Sequence, residues 1–166
     1  RQMMTLLDGM SAHLSPTERA AAEMVAGLGE VFSVEAARLL LRNADTVLDQ
    51  LVFKGVLVSV GHPPAVLPQT AATFGALSFT HTLLHQRFIQ NSTISEHQIV
   101  MLACSDAPIC TVLPFRLLAT VAVNLTIPLV EIRTVITRLI KLSRALDRTA
   151  DWQWALPIWD ATAALW

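Results

Sequence analysis

The first half of this chain repeats its apolar positions with the period of a helix. Residues 2–14 read as a short apolar helix. Ser15-Pro16-Thr17-Glu18 follows as a helix start: Ser15 can cap, Pro16 suits the first helical position, and Glu18 can close a capping box. Ala21, Met24, Val25 and Leu28 then recur at i, i+3, i+4 and i+7, which builds one apolar face. Gly27 and Gly29 mark its end. Ser33 offers a second cap, before the run Val34–Leu41. Either Asn43 or Asp45 can cap a third helix, whose face is Val47, Leu48, Leu51 and Val52. Gly55 sits where a glycine ends a helix.

The pattern changes at Val56–Val60, a strand run broken by Gly61-His62-Pro63-Pro64. A loop of Pro, Ala and Thr leads to a second short strand, Leu77–Thr80. At His81 the chain turns helical again. Residues 93–106 are less regular, with a helix over Glu96–Cys104. From Pro114 the helical pattern returns, and Ile132, Val135, Ile136, Leu139, Ser143 and Leu146 keep a 3.6-residue period. A last helix is predicted through Ala155, Ile158, Trp159, Ala163 and Leu165. Three helices, strand, loop, strand is the order of a winged helix. The expected fold is therefore mainly α, with a winged-helix domain over 1–92 and a helical arm over 93–166.

Composition adds that this arrangement leaves apolar surface to spare. The 166 residues are 53% hydrophobic and 15% charged, with a mean hydropathy of +0.50. Such surface usually meets another domain, a protein partner or a second copy of the chain. The sequence starts at Arg1 and stops at Trp166 inside an apolar helical pattern, which points to a piece of a longer polypeptide. The net charge of −1 supplies no field that would draw in nucleic acid. Two cysteines, Cys104 and Cys110, make no disulfide framework. The N-terminus lacks the apolar stretch and cleavage site of a signal peptide. Leu117–Val130 is apolar but short for a membrane span, which needs about 20 residues, and it holds Asn124 and Pro128. A buried helix and a cytoplasmic location are expected, with no membrane partner.

The segments Leu14–Leu41, Val47–Val58 and Phe79–Gln86 together resemble the winged-helix region of bacterial STAND-type signalling ATPases. In relatives of that class a Met-His-Asp motif ends the winged helix. Thr80-His81-Thr82 stands in that place here, so only the histidine carries over. The resemblance covers about half of the chain, residues 14–88. It implies a non-catalytic regulatory segment that couples nucleotide state to partner or ligand sensing, in a signalling protein of a class that includes transcription regulators. It also implies that His81 reaches the phosphate of ADP held by an ATPase domain upstream. The run Leu139–Leu165 is similar to a tetratricopeptide hairpin, with Ala155 and Ala161 or Ala163 in its second helix. Such repeats need neighbours to bury their faces, so further repeats downstream are implied. Pro157 departs from that pattern, because a helix-interior proline costs about 3 kcal/mol.

Other residue sets bear on chemistry. The chain has no G-x-x-x-x-G-K-[ST], no G-x-S-x-G and no H-E-x-x-H, so no P-loop, hydrolase or zincin chemistry is expected of it, and ATP or ADP would be bound elsewhere. His85, His97, Cys104 and Cys110 lack the paired short spacings of a zinc site, and no metal is expected. The third helix carries Asp45 and Asp49 against Lys54, and residues 15–60 hold six acidic and four basic side chains, net −2. That balance disfavours DNA, whose affinity comes largely from phosphate neutralisation. A stand-alone DNA-binding winged helix with a helical dimerisation region is the alternative reading. Arg133, Thr137, Lys141, Arg144 and Arg148 form a basic stripe, either an acidic-partner surface or the solvated back of a helix. Trp152, Trp154, Trp159 and Trp166 read as packing between helices.

Overall fold

Local capping sets where most of the helices begin. The computed structural model describes residues 2–61, 75–111, 116–117 and 129–145. Helix α1 runs Gln2–Ala12 and α2 runs Pro16–Ala26. At the start of α2, Ser15 Oγ accepts from the Glu18 amide at 3.2 Å while Glu18 Oε1 accepts from the Ser15 amide at 2.8 Å. This is the capping box the sequence implies, and it satisfies two amides that no helical carbonyl reaches. Helix α3, Val34–Leu40, is capped by Ser33. Helix α4, Ala44–Phe53, begins at Asn43, which holds a left-handed backbone (φ 51°) and makes no side-chain cap bond. Its end is a Schellman turn. The Gly55 amide donates to Val52 O at 3.0 Å and the Val56 amide to Leu51 O at 2.9 Å, and Gly55 takes the required positive φ of 80°.

Three strands form one antiparallel sheet: β1, Val31–Ser33; β2, Leu57–Gly61; and β3, Ala76–Phe79. The spatial order is β1-β3-β2. Val31, Phe32 and Ser33 face Ser78, Leu77 and Ala76, and Leu57 faces Phe79. A register shift at Ser59–Gly61 bends the edge strand β2. The strand expected at Leu77–Thr80 sits one residue earlier, because Thr80 leaves the sheet. Strand β1 was not expected at all. It is three residues long, too short for a period, and exists only through its pairing with β3. Helices α5, Thr82–Ile89, α6, Glu96–Cys104, and α7, Leu129–Ala145, follow. Ser95 and Gln98 form a second capping box at the start of α6.

The core lies between the helices and the sheet. It joins Ala21, Ala22, Val25 and Ala26 of α2, Ala36 and Ala37 of α3, Val47, Leu48 and Leu51 of α4, Phe32, Leu57 and Phe79 of the sheet, and Leu84 and Phe88 of α5. The alanines let α2 and α3 approach closely, and the rings fill what remains. Phe79 lies 6.2 Å from Phe32 and 6.1 Å from Phe88, ring centre to ring centre, in tilted contacts. The same core takes in Leu102 and Ala107, so packing continues across position 92. Helix α6 contacts α3 on one side and α7 on the other. Val135 and Ile136 of α7 are buried. Thus the structure is mainly helical with a small antiparallel sheet. Leu118–Pro128 of the apolar stretch, residues 62–74, and residues 146–166 of the C-terminal hairpin, with its four tryptophans, Pro157 and Arg148, lie outside the described residues.

One ion pair ties the start of α2 to the end of α4. Lys54 Nζ donates to Glu18 Oε1 at 2.6 Å and to His13 O at 3.0 Å. The Lys54 ammonium, and then the Ser15 amide, hold the Glu18 carboxyl below its ordinary value of 4.5. A carboxyl depressed in the folded state adds stability above the unfolded pKa and loses it as pH falls through the folded one. Stability is therefore expected to drop below about pH 4.5, the ordinary carboxyl value. Glu18→Gln should flatten that acid limb in urea titrations from pH 6 to pH 3. An unchanged limb would remove Glu18 from the account.

Candidate functional site

His81 stands at the junction of β3 and α5, and backbone bonds hold that junction. The Thr80 amide donates to Val56 O at 3.0 Å, and Thr80 Oγ1 donates to Gly55 O at 2.8 Å. These bonds lock the end of β3 onto the turn after α4. His81 then adopts an extended backbone (φ −148°, ψ 136°) and becomes the N-cap of α5. Its Nδ1 accepts from the Leu83 amide at 3.2 Å. A ring nitrogen that accepts carries no proton, so the neutral ring bears its proton on Nε2. Nε2 has no partner among the described residues. The side chain is half-exposed, and its neighbours Thr82 and Leu83 are exposed. The geometry thus gives His81 a structural duty on one nitrogen and leaves the other, beside the amide-rich end of a helix, with no partner among the described residues.

His85, one turn on, points the other way. Its Nε2 lies 2.9 Å from Ala26 O, and as that carbonyl can only accept, Nε2 donates. The ring packs on Phe79 at 5.2 Å. His85 thereby joins α5 to the end of α2. Arg87 of α5 pairs with Asp8 of α1. Helix α5 is therefore anchored on its inner side while His81 is left at its open end.

His85, His97, Cys104 and Cys110 are not brought together, and among the described residues no group of three His, Cys, Asp or Glu converges. His97 and Cys104 are exposed on α6. Cys110 lies beside Ser33, and burial pushes its thiol up to about 11. The exposed positions of α4 include Asp45, Thr46, Asp49 and Gln50. Of the basic groups nearby, Arg38 pairs with Glu35 and Asp45 and Lys54 with Glu18, while Arg42 is exposed. An open groove of about 480 Å³ lies elsewhere, lined by Thr5, Leu6, Gly9, Met10, His13 and Lys54. It takes no residue from β3 or α5.

Arg138 was not singled out by the sequence pattern. It reaches from α7 to the end of α6, where Nη1 donates to Leu102 O at 2.9 Å and Nη2 to Ala107 O at 2.7 Å. Leu102 O also accepts from the Ser105 amide and Ser105 Oγ, and Ala107 lies past the helix, so one guanidinium ties the end of α6 and the segment after it to α7. The available signal was a charge three residues after Val135, on the apolar side of α7. Arg133, Thr137 and Lys141 of the basic stripe are exposed on the same helix. Among the described residues no helix is long and apolar enough to cross a membrane. No family model, no curated protein and no solved structure matches this chain.

Proposed function

We propose that this chain is a winged-helix regulatory segment of a STAND-type signalling ATPase, working without chemistry of its own. The observation that carries the reading is His81, whose Nδ1 is held by the Leu83 amide at the start of α5 while Nε2 has no partner among the described residues. The element order and the sheet order β1-β3-β2 agree with a winged helix. A fixed ring N–H beside a helix N-terminus suits one acceptor in particular, an anionic phosphate oxygen. In this reading an ATPase core elsewhere in the protein holds ADP, and His81 donates to its phosphate. The unit stays docked in that state and is released on exchange. The α6–Arg138–α7 contact then relays the movement to the arm and to tetratricopeptide-like repeats that sense a ligand or protein partner, in the cytoplasm.

The acidic exposed side of α4 weighs against the DNA-binding alternative, since Asp45 and Asp49 would face phosphates.

Two substitutions at one position test the sensor role in the full-length protein. His81→Ser keeps a side-chain acceptor for the Leu83 amide but loses the ring N–H. His81→Ala loses both, at a cost of about 1 kcal/mol for the cap. Both variants are expected to release ADP at least tenfold faster, a loss of about 1.4 kcal/mol in binding. Only the alanine variant should also lose stability. Wild-type ADP retention in His81→Ser would sink the role and leave His81 as a cap alone.

A further inference from the structure

We infer that two copies of this chain pair through helix α1, antiparallel and around a two-fold axis, so that Leu6 of each enters a groove at Gly9 of the other. The groove is the one of about 480 Å³ lined by Thr5, Leu6, Gly9, Met10, His13 and Lys54. Helix α1 is seated on the body by one side. Leu7, Ser11 and Leu14 are buried there, and Arg87 holds Asp8. The other side carries Thr5, Leu6, Ala12 and His13, all exposed. Leu6 is 59% exposed, a large apolar side chain left in water. Gly9 stands among them, in the interior of α1. A methyl group added to Gly9 would meet no atom within 4 Å among the described residues. A mid-helix glycine costs stability against alanine, and neither a close neighbour nor a positive φ calls for one here. Its missing side chain leaves a notch on an exposed helix face, with Leu6 about one turn before it.

The occupant follows from what stands on the same face. Leu6 and Met10 flank the notch, so it takes an apolar side chain. An identical face supplies one. When two α1 helices run antiparallel and cross between positions 6 and 9, Leu6 of each copy stands over Gly9 of the other. Both notches fill and both leucines are covered in one contact. Large against small at facing positions is how helices interdigitate at close range. A parallel pairing would instead set leucine on leucine and glycine on glycine. Charge allows like to meet like. Lys54 at the groove is paired with Glu18, and Asp8 beside it with Arg87. Two such faces meet without bringing unmatched charges of one sign together. The antiparallel crossing also keeps the two His13 rings at opposite ends of the contact. Two short helices make a small interface, so the dimer depends on concentration. The contact is isologous, so it closes at two copies.

Sedimentation of the full-length protein at rising concentration tests the pairing. Leu6→Ala removes the inserted side chain, and Gly9→Leu plugs the groove from within. The wild-type protein should form dimers. Each single variant should dimerise about tenfold more weakly or worse, the effect of losing an interface anchor. Gly9→Leu should at the same time raise the unfolding temperature of the monomer, since it replaces a mid-helix glycine where there is room. Mixed one to one, the two variants should recover dimers. One notch is then filled by Leu6 as before, and at the other the leucine introduced at position 9 meets the alanine introduced at position 6. The double variant exchanges large and small on both copies and should dimerise like the wild type. A monomeric wild-type protein, a single variant that dimerises undiminished, or a mixture that stays monomeric would each overturn the pairing, the last by assigning the groove to another occupant. A Gly9→Leu monomer less stable than the wild type would overturn it as well, because the notch would then be filled by the chain itself.

Discussion

Replacing Phe32 by alanine is expected to destabilise the protein by about 3–5 kcal/mol, the range for a large aromatic lost from a packed core. Phe32 is 1% exposed and meets Phe79 in a tilted contact, and Phe79 in turn touches Phe88 and His85. Strand β1 is held to β3 over only three residue pairs, so the ring supplies much of what keeps it in place. Domains of ordinary stability have about 5–15 kcal/mol in hand, so the loss is a large fraction of the whole. Urea denaturation of wild-type and variant protein measures it. Hydrogen exchange should also show weaker protection in α5, because the cavity opens next to Phe79 and loosens the packing under His85. Phe32→Leu should cost less, about 1–1.5 kcal/mol, since most of the volume is kept. A loss below about 1 kcal/mol for the alanine variant would mean that β1 is not anchored through this ring.

Ser33→Ala is expected to cost about 2–4 kcal/mol, although it removes one oxygen atom. Ser33 Oγ accepts from the Ala36 amide at 3.0 Å and donates to Pro108 O at 2.8 Å, and the residue is wholly buried. Losing a helix cap costs about 0.5–2 kcal/mol. Leaving the Pro108 carbonyl buried without a donor adds about 1–3 kcal/mol. The bond to Pro108 spans 75 residues of chain and fastens the segment after α6 to the start of α3. Ser33→Thr keeps the hydroxyl and should retain most of the stability. The measurement is again denaturant unfolding, now with Ser15→Ala as the comparison. Ser15 caps a helix with no long-range bond, so its loss should fall within the cap range alone. Equal losses at Ser15 and Ser33 would show that the Pro108 bond contributes nothing.

The contrast between those two serines shows how far the sequence carries. Ser15 and Ser33 announce their helices because the cap bond each makes closes within three residues, a distance that spacing in a sequence can express. Gly55 is legible for the same reason. Asn43 has the right residue type for a cap but takes a left-handed backbone, and its side chain makes no cap bond. At Ser33 the sequence predicts the cap and is silent about Pro108. Strand β1 is equally hidden. Its three residues carry no period, and only the β3 backbone opposite makes them a strand. His81 was visible as a histidine at a strand–helix junction. That its Nδ1 is spent on the Leu83 amide, where the residue caps α5, is visible only in the structure. Arg138 is the clearest case of a residue with no local sign of its partner, since the carbonyls it binds lie more than thirty positions earlier.

What the amino-acid sequence determined by itself is the capped starts of α2 and α3, the glycine end of α4, most of the apolar faces of α2 and α4, though Val52 is exposed, and the lack of a P-loop. All of these rest on interactions between residues a few positions apart. The tertiary structure alone decided the sheet order, the presence of β1, the second bond of Ser33, the reach of Arg138, and the exposure of Phe53 at the end of an apolar face. Those depend on which surfaces meet once the helices have formed. The meeting is governed by packing and by hydrogen bonds between distant segments, and no periodicity along the chain records them.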